Sequence, residues 1–309
     1  MLQGKDLLSI HDLSTDEVAE ILDFAAQLKA MQKAGVEHKL LAGKTLGMIF
    51  EKSSTRTRVS FEVGIFQLGG TGLFLSSKDL QLGRGEPIKD TARVLSRYID
   101  GIMIRTFEQA KVEELAKYAD ISVINGLTDL LHPCQVLTDL LTIREHKGKN
   151  FRALKAAYVG DGNNMANSLL YGAAKVGMTF TVATPADYKP NQKVFENALA
   201  DAEETSAKLS WTEDPIEAVK DADVVITDTW ASMGQEAEHD ARKKIFAPYQ
   251  VNKKLLSGAS KNAIAMHCLP AYRGEEITDE IFEENAHVIF DEAENRLHTQ
   301  KAIMALTMA

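Results

Sequence analysis

Two cysteines, Cys134 and Cys268, are all that this sequence contains. That is too few for a disulfide scaffold, and it points to free thiols in a reducing compartment. No stretch is long and apolar enough to span a bilayer. The first residues, Met1-Leu2-Gln3-Gly4-Lys5-Asp6, lack the basic and apolar regions of a secretory signal. A cytoplasmic protein is expected. An excess of positive charge is lacking too: 35 Lys and Arg stand against 44 Asp and Glu, a net charge of −9. This argues against general nucleic-acid binding, so any anion site must be a local positive pocket. What remains is ordinary. The 309 residues are 45% apolar and 26% charged, as expected of a globular protein of about two domains.

The stretch Ser53-Ser54-Thr55-Arg56-Thr57-Arg58 organises the rest. It follows an apolar run, Thr45 to Phe50, that reads as a buried strand. It precedes a helical pattern with Phe61, Ile65 and Leu68 on one face. Hydroxyls and an arginine therefore fall where a strand ends and a helix begins. Free backbone N–H groups and the positive end of the helix dipole make that junction a natural anion site. An arginine fork matches phosphate bidentately. The same six residues would also serve as a plain N-cap with two solvated arginines.

Along the chain, Ser14-Thr15-Asp16-Glu17 is a capping box that opens a helix through Leu28. After the strand Thr45–Phe50 and the helix through Gln67, strands are predicted at Thr71–Leu75, Asp100–Arg105 and Ile121–Asn125. Helices are predicted from Pro87 to Tyr98, Glu108 to Tyr118 and His132 to His146. Ser76 to Glu86 reads as a polar loop. The second half repeats the rhythm, with strands at Leu154–Val159, Met178–Ala183, Asp223–Thr227, Ala263–Met266 and Val288–Phe290. Its helices are predicted at Asn164–Val176, Asn191–Glu203 and Asp214–Lys220, and from about Ala293 to the end. Strand–helix alternation predicts an α/β protein with two doubly wound parallel-sheet domains. The boundary is placed near His146, giving residues 1–146 and 147–309. The helix over about 293–309 is expected to pack back on the first domain.

Each chemistry-bearing candidate lies just after a predicted strand, where doubly wound sheets bind ligands. Arg105 ends an apolar run, and taken singly it reads as a strand-end surface charge. His132-Pro133-Cys134-Gln135 starts a helix, with Pro133 fixing the backbone so that His132 and Gln135 can face one mouth; standing alone, the motif reads as a capping His-Pro. Gly160-Asp161-Gly162-Asn163-Asn164 has the outline of a dinucleotide loop, but Met165 stands where a third glycine is needed. The acidic residue after the next strand is also missing, which disfavours NAD. The two asparagines either offer amides to a polar ligand or cap the helix. Asp228, at the head of Asp228-Thr229-Trp230-Ala231-Ser232-Met233-Gly234, can hold an ammonium or cap a helix. His267-Cys268-Leu269-Pro270 pairs a thiol with an imidazole. Neighbours on an extended chain point apart, and no further ligand stands at zinc spacing, so no metal is expected.

Taken together, these motifs resemble the aspartate/ornithine carbamoyltransferase family over essentially the whole chain. Ser54–Arg58 is similar to its carbamoyl-phosphate signature. Gln81, Arg105 and His132–Gln135 occur in the family order. Asp228-x-x-x-Ser232-Met233-Gly234 and His267-Cys268-Leu269-Pro270 are similar to the ornithine-using branch. Aspartate-using members carry a Pro-Leu-Pro-Arg type segment at the second place, and putrescine-using members lack the Ser-Met-Gly stretch.

The resemblance implies transfer of the carbamoyl group of carbamoyl phosphate to the side-chain amine of L-ornithine, without cofactor or metal, in arginine biosynthesis. It implies an active site in the crevice between the domains and a homotrimer with shared sites. Ser54, Thr55, Arg56, Thr57, Arg105 and Arg296 would hold the phosphate, and Gln81 would enter a neighbouring subunit's site. Thr57, Arg105 and His132 would polarise the carbonyl oxygen. Gln135 and the backbone near Cys268 and Leu269 would hold the carbamoyl NH2, with Pro133 and Cys134 lining that side. Asn164, Asp228, Ser232 and Met233 would bind ornithine, and Asp228 and Cys268 would orient its amine. Arg56, Arg105, His132, Asp228 and Cys268 are thus the expected catalytic set. The competing readings are a carbamoyltransferase for another amine, a catalytically silent carbamoyl-phosphate binder, and an NAD-binding dehydrogenase.

Overall fold

The computed structural model describes residues 2–77, 85–231 and 238–309. They fall into two units, 1–141 with 295–309, and 142–294. In the first, α1 (Thr15–Lys33) begins at Ser14, whose side chain caps Glu17 N in a complete capping box. There follow β1 (Thr45–Phe50), α2 (Thr55–Gln67), β2 (Thr71–Ser76), α3 (Ile88–Leu95), β3 (Gly101–Arg105), α4 (Gln109–Tyr118), β4 (Ser122–Leu127) and α5 (Pro133–Lys147). The strands pair in parallel in the order β2-β1-β3-β4. Every residue of β3 and β4 is buried, as expected of strands covered on both faces. Ile49, Ile102, Ile104, Val112, Leu115 and Val123 form one core cluster between sheet and helices. Each such side chain contributes about 1.5–3 kcal/mol on leaving water.

The second unit contains β5 (Lys155–Val159), α6 (Asn164–Val176), β6 (Thr179–Ala183), α7 (Gln192–Thr205), β7 (Lys208–Thr212), α8 (Pro215–Val219) and β8 (Val224–Thr227). Next come α9 (His239–Phe246), α10 (Lys253–Leu256), β9 (Ile264–His267), α11 (Asp279–Glu284) and α12 (Ala286–Met308). Its sheet is parallel, in the order β7-β6-β5-β8-β9. In each sheet the first strand has neighbours on both sides. The chain winds outward one way and then the other, so β1/β3 and β5/β8 are the points where winding reverses. Ligands bind at the carboxyl ends of strands at such points.

Two sequence expectations fail here. Val288–Phe290 is not a strand; it lies in α12, which starts at Ala286 rather than about Ala293. Val288, Ile289, Glu292, Asn295, Arg296 and Thr299 are buried at helical spacing, while Phe290 is exposed. An apolar triplet is too short to reveal its own period. β7, Lys-Leu-Ser-Trp-Thr, was not anticipated, because an edge strand with exposed positions carries no apolar run.

The 295–309 part of α12 packs within the first unit. Lys29 Nζ donates to Asn295 Oδ1 at 2.7 Å, and Ser122 Oγ donates to Thr307 O at 2.9 Å. Lys301 is fully buried and donates to Gln67 Oε1 (2.9 Å) and lies 3.0 Å from His38 Nε2. His38 Nδ1 lies 2.9 Å from Val36 O, which can only accept, so the ring proton is on Nδ1 and Nε2 is free to accept from Lys301. No carboxylate pairs with this ammonium among the described residues. Burial pushes its pKa down from 10.5 to about 8. Between pH 8 and 10.5 the unfolded chain holds a proton that the folded chain has released, so stability rises with pH across that window. Below it, the charge is a cost of about 3 kcal/mol, at about 1.4 kcal/mol per pH unit. Lys301→Met is expected to flatten this rise. Denaturant unfolding followed against pH should show the variant losing ground to the wild type as pH climbs through the window. Parallel stability curves would contradict the assignment.

Candidate active site

The first cluster is built by β1, β3, α2, α5 and α12. Phe50 pairs with Arg105, so the turn after β1 lies beside the end of β3. Ser54 caps α2: its Oγ accepts from Thr57 N at 3.2 Å, a contact worth about 1 kcal/mol. The first turn of α2 holds no acidic residue, so its positive end is not neutralised from within. Arg296 donates through Nη2 to Thr57 Oγ1 at 2.8 Å and through Nη1 to Gln135 Oε1. Ser54 Oγ also donates to Thr57 Oγ1, at 3.1 Å, and Arg105 Nη1 lies at 3.5 Å. A hydroxyl oxygen has two lone pairs, so the Arg105 contact is the weak one. With its oxygen so engaged, Thr57 has its own proton left to give. Thr55 is exposed and Arg56 half-buried. The Arg56 guanidinium has no hydrogen bond or ion pair among the described residues.

His132 is buried directly before α5. Burial, with Arg296 and Arg105 nearby, holds its pKa well below the usual imidazole value, so the ring is a neutral donor. Pro133 opens α5 and is buried. Cys134 donates to Asn125 O at 3.4 Å, and burial pushes its thiol up to about 12, so it is a packed thiol rather than a nucleophile. Gln135 Nε2 donates to Asp139 Oδ1 at 2.8 Å, one helical turn on. This fixes the amide, with Nε2 turned to Asp139 and Oε1 to Arg296.

The second cluster is built by β5, β8, β9 and α6. Thr227 pairs with His267, so Asp228 and Cys268 leave their strands side by side. Cys268 Sγ donates to Asp228 Oδ1 at 3.3 Å, and Asn163 Nδ2 donates to Asp228 Oδ2 at 3.0 Å. The other end of the Asn163 amide caps α6, accepting from Met165 N and Ala166 N at 2.9 and 3.3 Å. Asn164 is the half-buried first residue of α6. Tyr158 is held as a neutral phenol by burial and by the negative charge of Asp228 and Asp161 beside it. A buried carboxylate with Asn163 fixing one oxygen and a thiol on the other can receive an alkylammonium.

Among the described residues, ligating atoms of Asp228, His267 and Cys268 lie within 4.8 Å of one another. Both ring nitrogens of His267 are taken, Nδ1 by Leu269 N at 2.9 Å and Nε2 by Glu276 Oε1 at 2.9 Å. That leaves two ligands, fewer than a protein zinc site uses. Leu269, half-buried, follows Cys268. Gln81, Ser232 and Met233 lie outside the described residues.

Gly162 explains the dinucleotide-like outline. A Cβ there would meet Tyr188 O at 2.3 Å and Lys189 C at 2.4 Å. The glycine admits the chain's own backbone, where a pyrophosphate would lie in a nucleotide site. Gly162→Ala is expected to destabilise the protein by about 1–3 kcal/mol, the usual cost of overpacking. An unchanged midpoint in denaturant would contradict it.

Sequence reasoning missed the partners that hold these groups. Arg242, on α9, donates to Asp161 Oδ2 and to Trp230 O, each at 2.9 Å. Burial raises Asp161 to about 6 against the pull of Arg242. Glu276 and Glu292 bind His267, through Nε2 and through N at 3.2 Å. Only Gln135 and Asp139, four apart on one helix, carried a local signal.

The chain is thus two parallel α/β units, one with arginines converging at a helix start and one with a buried acid–thiol pair. The chain belongs to the aspartate/ornithine carbamoyltransferase family. Residues 5–145 match the family's carbamoyl-P binding domain, and residues 152–307 its Asp/Orn binding domain. It is 60% identical to ornithine carbamoyltransferase of Carboxydothermus hydrogenoformans, over 99% of this chain and 98% of that one. Identity to the Thermococcus kodakarensis enzyme is 56%, over 99% and 97%. The solved ornithine carbamoyltransferase of Pyrococcus furiosus superposes with a TM-score of 0.96 at 54% identity, covering 99% of this chain and 98% of that one.

Proposed function

We propose that this protein transfers the carbamoyl group of carbamoyl phosphate to the side-chain amine of L-ornithine, giving L-citrulline and phosphate. The observation that carries the reading is the meeting of Arg105 and Arg296 at Thr57 Oγ1, in the first turn of α2 beside neutral His132. Ser54, Thr55, Arg56, Thr57, Arg105 and Arg296 hold the phosphate, and uncommitted Arg56 supplies a free fork. Gln81, from the segment between β2 and α3, adds to a neighbouring chain's site. Thr57, Arg105 and His132 donate to the carbonyl oxygen. Gln135 Oε1 and the backbone at Cys268 and Leu269 accept from the carbamoyl NH2, beside Pro133 and Cys134. Asn164, Asp228, Ser232 and Met233 bind ornithine.

The neutral amine attacks the carbonyl carbon, an oxyanion develops, and as it collapses the C–O bond to phosphate breaks and the departing phosphate takes the proton that the new C–N nitrogen sheds. Donors fixed in advance at the oxyanion lower the barrier. Asp228 and Cys268 bind and aim the amine, which must shed a proton before attack. An alkylammonium free in water holds that proton up to a pKa of about 10.4. No step calls for a cofactor or a metal. Phosphate leaves as its own charge grows, so the arginines bind the transition state more tightly than the ground state.

The family resemblance extends the proposal to a homotrimer with shared sites. Val59, Val63 and Phe66 on α2, with Leu73 and Phe74 on edge strand β2, are exposed and support burial against a second copy. Among the described residues no helix is long and apolar enough to cross a membrane, and the chain is acidic. Both fit a cytoplasmic role in arginine biosynthesis without nucleic-acid or membrane partners. Citrulline formation with ornithine, beside aspartate and putrescine as competing acceptors, tests the reading. Ornithine should be strongly preferred; equal or better turnover with putrescine would move the protein to another amine.

A further inference from the structure

Glu276 is completely buried and lies outside every motif read from the sequence. Its Oε1 accepts from Tyr272 N at 2.7 Å and faces His267 Nε2 at 2.9 Å. His267, equally buried, is the last residue of β9. On its other side, Leu269 N donates to His267 Nδ1 at 2.9 Å. A nitrogen that accepts an N–H carries no proton, so the ring must be protonated on Nε2, toward Glu276. Leu269 has φ 61, a left-handed backbone that a leucine adopts only when held there. The bond from its N–H to the imidazole is the local restraint. Cys268, between the two, gives its thiol to Asp228.

We propose that Glu276 is a positioning residue of the transfer reaction. By receiving the Nε2 proton it fixes the tautomer of His267 that accepts the Leu269 N–H. This sets the Cys268–Leu269 turn. The Leu269 N–H is then spent inside the chain, which holds the backbone of this turn in one place for the role given to it above. The Cys268 thiol is aimed at Asp228 by the same turn. The proposal rests on the roles given to Cys268 and Leu269 above.

The test uses the full chain, labelled with 15N at histidine, with His267 assigned by substitution. The ring shifts should report a neutral imidazole protonated on Nε2, in the wild type and in Glu276→Gln, whose amide oxygen can still accept. Glu276→Leu should lose that tautomer. Its kcat should fall by about 100-fold, the scale of a small misplacement of reacting groups, while carbamoyl-phosphate affinity should fall much less, because the phosphate contacts of Ser54–Thr57 and the arginines remain. Glu276→Gln should restore most of kcat. A wild-type ring protonated on Nδ1 or on both nitrogens overturns the proposal, and so does wild-type kcat in Glu276→Leu. Loss of kcat and carbamoyl-phosphate affinity together, with a collapsed melting temperature, would reduce Glu276 to a structural role and also overturn it. Should Glu276→Leu not fold, two variants of His267 decide. Asparagine offers an amide near the Nδ1 position and glutamine near Nε2, so His267→Asn should retain more kcat; equal loss or the reverse order overturns the account. If the wild type makes no citrulline, the functional reading fails, while the tautomer still shows whether Glu276 governs His267.

Discussion

Arg105→Ala is expected to lower kcat/KM for carbamoyl phosphate by about 10³, the upper range for losing one oxyanion donor. Arg105 is buried at the end of β3, beside Thr57, with His132 close enough to feel its charge. On the proposed reading its fork meets both the phosphate and the carbonyl oxygen, where negative charge grows during transfer. Both kcat and the apparent affinity should therefore suffer, kcat the more. Arg105→Lys keeps a charge but loses the two-pronged geometry, and should recover only part of the loss. Steady-state kinetics at saturating ornithine separates the two parameters. A raised KM with unchanged kcat would mean that Arg105 binds substrate and transition state alike.

Asp228→Asn should act on the other substrate. The carboxylate is held by Asn163 on one oxygen and Cys268 on the other. Its charge is the reason an ammonium would settle there. Hydrogen bonds to charged groups are worth about 1.5–3 kcal/mol, so kcat/KM for ornithine should drop by about 10–100-fold. Carbamoyl-phosphate binding, measured by calorimetry, should not change, because its contacts come from other residues. The amide also deprives the Cys268 thiol of its charged acceptor. Equal losses for both substrates would argue that Asp228 supports the structure instead.

The β/α rhythm was legible because buried parallel strands are apolar throughout and end abruptly in polar residues. Arg105 after Gly101–Ile104 and Asp228 after Val224–Thr227 stood out for that reason. Edge strand β7 has no such contrast, and Val288–Phe290 is apolar without showing whether its period is two or nearly four. At the site, residue types at strand ends could be read, but their partners could not. Asn163 reaches Asp228 only because strand register brings distant segments together, and Glu276 reaches His267 because the chain folds back after β9. The same holds for Arg296, which comes from near the end of the chain to Thr57 and Gln135. Its role came from family resemblance, since a lone arginine in a helix carries no local signal. The glycine pair at 160 and 162 misleads in the opposite sense. Gly162 is required by the approach of Tyr188–Pro190, a contact that no local pattern announces.

The most direct measurement follows the carbon and the nitrogen of the new bond. Carbamoyl phosphate labelled with 13C at its carbonyl is mixed with ornithine labelled with 15N at the side-chain nitrogen, and the product is read by NMR. The account predicts a carbonyl signal split by one-bond coupling to 15N, growing in step with released phosphate. An unsplit carbonyl, from attack by the α-amine or by water, would contradict it.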